Sequence, residues 1–88
     1  MEIQISGMKL LYEVGDLLQW RYEWGGGGRE TEKAYPFLVG MPKRMLVVGT
    51  GTQEGKWEIY KTYICMDTDT GEIHTDPGTR IHQIYVKV

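Results

Sequence analysis

The chain has 88 residues, with twelve acidic and ten basic side chains and a formal net charge of −2. A chain of this length predicts one domain, residues 1–88, which buries only about 60 to 65% of its unfolded surface. The charges form no basic block, so the sequence does not predict a binder of duplex nucleic acid. A single cysteine excludes an intramolecular disulfide, and no apolar run is long enough for a transmembrane helix. We therefore expect a soluble, cytoplasmic protein with no membrane partner.

Short runs rich in Ile, Val, Tyr and Thr alternate with turn-forming clusters, which predicts an all-β domain of five to six antiparallel strands. Residues 1–7 are interpreted as an added edge strand. The first well-defined strand is expected at residues 17–24, where Leu18, Trp20, Tyr22 and Trp24 share one face. Further strands are predicted at residues 44–50, 56–66, 72–75 and 81–88, with turns at 67–71 and 77–79. No helix is predicted.

Residues 25–43 are expected to form one long irregular loop. Four consecutive glycines precede a charged stretch, and a connection this long in a small domain is usually functional or disordered. A tetraglycine is also a common engineered linker. Tyr35, Phe37 and Val39 alternate and could form a short strand, which Pro36 and Pro42 would confine to a sheet edge.

Residues 67–72 have the composition of a calcium loop, but its spacing is wrong. The glycine required at position six and the glutamate required at position twelve are replaced by Glu72 and Gly78. Asp, Thr and Gly are common in turns, so we interpret this segment as a hairpin turn.

Three residues, His74, Asp76 and His82, are the candidates for a metal or acid–base group. His74 and Asp76 would share one strand face, but no third ligand lies at suitable spacing from this pair, so we expect no metal site and no cofactor. Cys65 is interpreted as a core residue, with a cysteine–histidine nucleophile pair as the alternative.

The junction between the aromatic strand and the glycines is the candidate ligand site. It matches no phosphate-loop motif, because Walker A ends in Gly-Lys-Ser/Thr before a helix. Backbone N–H groups of glycines can still bind an anion, arginines supply charge and an indole ring stacks on a base. The candidate ligand-binding residues are Trp24, Arg29, Arg21, Gly26, Gly27 and Tyr35. The alternative is a flexible loop over a core of rings.

The order of these segments resembles that of small SH3-like β-barrel proteins common in phage genomes. Those chains begin with a Val-Gly-Asp-aliphatic strand, continue with a glycine-flanked aliphatic strand and end with a hairpin and a short closing strand. The matching segments are residues 14–20, 46–49, 63–67, 71–74 and 82–86. The resemblance implies an SH3-like barrel and a phage-encoded protein acting in the host cytoplasm, and residues 25–43 depart from it.

Three functions are compatible with the sequence. The first is a non-catalytic module for protein–protein interaction with a host protein, which is favoured because no catalytic set is assembled in so short a chain. The second is a small-ligand binder that sequesters a nucleotide-like signalling molecule in a pocket between subunits. The third is a small hydrolase built on the histidines. We expect no enzyme activity, and we expect a homo-oligomer because sheet edges and exposed rings need covering.

Overall fold

The computed structural model describes residues 4–5, 9–22 and 34–88. Within these ranges it contains six strands, one 3₁₀ turn and one α-helix. In chain order they are β1 (Gln4–Ile5), β2 (Leu17–Trp20), the 3₁₀ turn (Pro36–Leu38), β3 (Arg44–Glu54), β4 (Glu58–Asp67), β5 (Ile73–Pro77), α1 (Gly78–Ile84) and β6 (Tyr85–Lys87).

Five of the strands form an antiparallel sheet in the order β5-β4-β3-β2-β6. The short strand β1 pairs in parallel with the first residues of β4, on the same edge as β5. This confirms the all-β prediction, and it places β4 between β3 and β5. In the described part of the chain no pairing joins β5 to β6, so the sheet is not closed and a barrel is not confirmed.

Two predicted turns form as expected. Glu13 donates its N–H to the Asp16 carboxylate at 2.8 Å, and Gly15 between them adopts φ +96°, which a side chain would strain. In the β4–β5 hairpin Gly71 adopts φ +76° and donates its N–H to the Asp67 carbonyl at 2.8 Å. The Val-Gly-Asp segment therefore directs the chain into β2, and residues 67–71 are a hairpin turn.

The helix α1 corrects the prediction of a strand over residues 81–88 and of a turn over residues 77–79. Only Tyr85–Lys87 is a strand, and Gly78–Ile84 is helical. The buried residues of α1 are Gly78, Ile81 and Ile84, which recur every three positions as one face of a helix requires. The alternation of side chains that predicts a strand over residues 81–88 corresponds to a strand only at Tyr85–Lys87.

The bounds of other predicted strands also change. The strand β2 ends at Trp20, β3 extends to Glu54, and Trp57, within the predicted strand 56–66, precedes β4 with 62% of its surface exposed. Tyr35, Phe37 and Val39 do not form a strand. Pro36 begins a 3₁₀ turn there, because its ring fixes a helical φ at the first position of a turn.

The core lies between one face of the sheet and α1. Of the residues predicted for the core, Leu18, Trp20 and Cys65 are buried, whereas Tyr22 is only partly buried and packs against the core. The full set of buried apolar residues is Tyr12, Leu18, Trp20, Leu38, Met45, Val47, Tyr63, Cys65, Ile81, Ile84 and Tyr85. The helix therefore covers the sheet, and it meets the end of β2 where the chain turns away from the sheet.

Candidate functional site

Three aromatic side chains meet beside the end of β2. The ring of Tyr22 lies 4.6 Å from that of Tyr35 and 5.4 Å from that of Phe37, the latter in an edge contact. The 3₁₀ turn produces this arrangement, since it buries Leu38 completely and leaves Phe37 50% exposed. The cluster is thus anchored in the core on one side and open to solvent on the other.

A cleft of about 650 Å³ separates this cluster from α1, and we call it the aromatic cleft. One wall consists of Tyr22 and Phe37. The other consists of Pro77 at the end of β5 and of four residues of α1, which are Thr79, Arg80, Gln83 and Ile84. Ring faces on one wall and polar groups on the other are typical of protein sites that bind amphipathic ligands.

The two walls are held together through Arg21. Its guanidinium Nη2 donates to the carbonyl oxygen of His82 at 2.9 Å and to that of Tyr85 at 3.4 Å. Its backbone N–H donates to the carbonyl oxygen of Ile84 at 2.7 Å. These carbonyls lie at the C-terminal end of α1, where they lack partners within the helix. Arg21 therefore fixes α1 against the chain that follows β2.

The structure places two of the six residues predicted from the sequence to bind a ligand. Tyr35 lies in the aromatic cluster, and Arg21 lies at the end of α1. Trp24, Gly26, Gly27 and Arg29 lie outside the described residues. Phe37 and the residues of α1 are absent from the predicted site. Phe37 is expected only in a short edge strand, and residues 77–88 are predicted as a turn and a strand. The spacing of Ile81 and Ile84 is the signal that would have revealed the helix.

His82 and Tyr63 form a polar group behind α1. The Tyr63 hydroxyl lies 2.6 Å from His82 Nε2 and accepts the Tyr12 N–H at 3.0 Å. The Leu11 N–H donates to the same His82 nitrogen at 3.3 Å. A backbone N–H can only donate, so His82 Nε2 is the acceptor and the neutral imidazole is the form that fits. This group attaches residues 11 and 12 to the fold.

Acidification is expected to weaken this attachment. Burial lowers the pKa of His82 and the nearby charge of Arg21 lowers it further, so the unfolded chain takes up the proton more readily. The stability that His82 contributes is present above the unfolded pKa of about 6.5 and is lost as pH falls through the folded pKa. Between about pH 7.5 and about pH 5, the melting temperature of His82→Gln should fall less than that of the wild type.

The matched variant His74→Gln is the control for that measurement. The ring nitrogen Nε2 of His74 has no hydrogen-bond partner among the described residues. His74→Gln leaves the contacts of His82 with residues 11 and 12 in place, so it should lose more stability on acidification than His82→Gln does. An equal response in His82→Gln and the wild type would contradict the role given to His82.

The candidate nucleophile Cys65 lies in the core, with 1% of its surface exposed. Burial raises the pKa of its thiol to about 11, and the charge of Asp76 adds to the shift. The reactive thiolate is thus disfavoured. The register places His74 opposite Cys65 and Asp76 opposite Tyr63 on β4. Within residues 9–22 and 34–88, no three His, Cys, Asp or Glu side chains come together as metal ligands.

No known protein family, curated protein or solved structure matches the chain. Across the residues that the structure describes, every helix is too short or too polar to span a membrane. The geometry of the aromatic cleft is therefore the basis for a functional proposal.

Proposed function

We propose that this protein is a non-catalytic interaction module that binds an extended segment of a partner protein in the aromatic cleft. The observation that carries the proposal is Phe37, which is half exposed although its ring contacts two other rings. Exposed aromatic side chains on a rigid support are the usual anchors of protein interfaces. Grooves lined by aromatic rings bind proline-rich extended segments, whose preformed conformation limits the conformational entropy lost on binding.

The rings are supported well enough to act as a preformed surface. Tyr22 and Tyr35 both pack against buried core residues, and Leu38, the neighbour of Phe37, is fully buried. A surface that is already ordered reduces the entropy lost on binding. This favours recognition by the cleft itself over recognition by a loop that folds on binding.

An SH3-like architecture is part of the proposal. The strand order supports it, since the short closing strand β6 returns to pair with β2 after the β4–β5 hairpin. Four of the five segments that carry the sequence resemblance contribute to β2, β3, β4 and β5 in that order, whereas residues 82–86 cover the end of α1 and the start of β6. A phage origin and action in the host cytoplasm rest on the resemblance alone.

A small nucleotide-like ligand is the second candidate, and one observation favours it. Arg80 and two aromatic rings line the same cleft, and a cation beside a ring suits a phosphate and a base. Thermal melting with a panel of nucleotides distinguishes the two candidates, because a ligand that binds only the folded state raises the melting temperature.

Selection from a library of random linear peptides tests the proposed function. The wild-type protein is expected to enrich a family of related peptides, which bind the purified chain when synthesised. A selection that enriches no peptide would contradict the proposal. Stabilisation by nucleotides with no peptide enriched would favour the second candidate.

Self-association is also part of the proposal, and the face of the sheet opposite the core supports it. Cross-strand contacts place five apolar residues in one row, namely Val88, which follows β6, Leu17 on β2, Leu46 on β3, Met66 on β4 and Ile73 on β5. Val88 is 66% exposed and Ile73 is 55% exposed. An exposed apolar row on a soluble domain is typical of a contact surface.

Light scattering is expected to give a mass above the 10.1 kDa of one chain. Leu17→Glu, which places a charge in the row, should lower that mass. Val39→Glu, at a position that is 64% exposed and outside the row, should not. A wild-type mass of one chain at high concentration would contradict self-association.

A further inference from the structure

The aromatic cleft contains one charge, and that charge is positive. Among its described lining residues Arg80 is the only ionised side chain, and no carboxylate is present. On α1, Gln83 lies three residues from Arg80 and four residues from Thr79, the spacings that make helix side chains neighbours. All three side chains donate hydrogen bonds. The α1 wall is therefore suited to a group that accepts several of them.

The guanidinium of Arg80 is weakly engaged within the described part of the chain. Its Nη2 donates to the Met41 sulfur at 3.6 Å, and a thioether is a weak acceptor. The ion pairs of the described residues join other side chains, Lys87 with Asp16 and His74 with Glu72. Arg21, in contrast, has its Nη2 on two carbonyl oxygens. Among the described residues, most donors of Arg80 thus have no acceptor.

Among the described residues, the acidic residue nearest to the cleft in the chain does not compensate this charge. Asp76 precedes Pro77, but it pairs with Tyr63 on β4. Its charge raises the pKa of the buried Cys65 and Tyr85 side chains, in each case after the larger effect of burial. Asp76 therefore faces the core residues of the sheet, and it is absent from the lining of the cleft.

We infer that the partner segment carries a carboxylate, from Asp or Glu, that binds Arg80 while a neighbouring apolar side chain packs on Tyr22 and Phe37. This inference rests on the proposed function. A guanidinium binds a carboxylate through two parallel hydrogen bonds, which adds direction to the charge attraction. The net charge of −2 does not oppose this, since screening at physiological salt limits exposed charges to about 8 Å.

Charge reversal in the full chain tests the inference. Peptides enriched from the random library by the wild type are synthesised with their acidic residue intact or replaced by its amide. Arg80→Glu should weaken binding of the acidic peptide by at least about tenfold. The same variant should bind a peptide in which lysine replaces the acidic residue. Arg80→Gln should give an intermediate loss. Arg44→Glu, an exposed arginine at the start of β3, is the matched control and should bind as the wild type does.

The possible outcomes separate the inference about Arg80 from the proposed function. Melting curves first establish that both charge-reversal variants are folded, and Arg80→Gln serves if Arg80→Glu is not. Enriched peptides without acidic residues, or equal binding to Arg80→Glu and Arg44→Glu, would overturn the inference and leave the proposed function standing. Failure to enrich any peptide would overturn both. Nucleotide binding that depends on Arg80 would assign the anion to a phosphate instead.

Discussion

Tyr85→Ala is expected to lower the free energy of unfolding by about 3 to 5 kcal/mol, as other large aromatic-to-alanine changes in cores do. Tyr85 is fully buried, and it pairs with Trp20 across β6 and β2. Its hydroxyl donates to the carbonyl oxygen of Pro42, so the side chain also connects the closing strand to the segment before β3. The total free energy of unfolding of a chain of this size is only about 4 to 13 kcal/mol. Urea unfolding followed by tryptophan fluorescence measures the change.

Two further tyrosine variants separate the effects of packing and of hydrogen bonding. Tyr85→Phe keeps the ring and leaves the Pro42 carbonyl without its donor, which should cost about 1 to 3 kcal/mol. Tyr60→Ala makes the same truncation at a half-exposed position of β4, where the loss should be much smaller. Equal losses in Tyr85→Ala and Tyr60→Ala would contradict the placement of the core between α1 and the sheet.

Phe37→Ala is expected to weaken binding of a selected peptide by about thirtyfold or more while the protein remains folded. Truncating a central aromatic anchor typically costs at least about 2 kcal/mol, and up to several, in binding free energy. The ring is half exposed, so its removal takes little area from the core. Titration of the peptide into both proteins measures the affinity, and melting curves measure the stability.

Val39→Ala is the matched control for Phe37→Ala. It lies two residues further along the chain, is 64% exposed and does not line the aromatic cleft. Its peptide affinity should equal that of the wild type. If Phe37→Ala bound the peptide as Val39→Ala does, the peptide would lie elsewhere on the surface.

The sheet could be predicted from the sequence because its signals are local. Gly15 and Gly71 occupy the positive-φ positions of two turns, and the alternation of Leu18 with Trp20 marks the buried face of β2. The helix could not be predicted in the same way. Ile84 and Val86 alternate as in a strand, and the choice between strand and helix depends on whether Ile81 and Ile84 have a sheet to cover.

The candidate site was only partly predictable, for a similar reason. The sequence pointed to rings, arginines and glycines near the end of the first strand, and Tyr35 does lie in the aromatic cluster. Phe37 and Arg80 are 43 positions apart and become neighbours only because the 3₁₀ turn and α1 pack on the same part of the core. A contact between residues so far apart in the chain cannot be predicted from the pattern of any one segment. Arg21, which looked like a ligand-binding charge, donates to the carbonyls that end α1.

Amide NMR shifts, followed while a selected peptide is titrated, show directly whether the peptide binds in the aromatic cleft. The account predicts that the largest changes fall on Tyr22, Phe37 and the residues of α1 from Thr79 to Ile84, and that Leu46 and Met66 on the opposite face stay unchanged. It also predicts that Phe37→Ala removes these changes. Changes centred on the opposite face of the sheet, with α1 unaffected, would contradict the assignment of binding to the aromatic cleft.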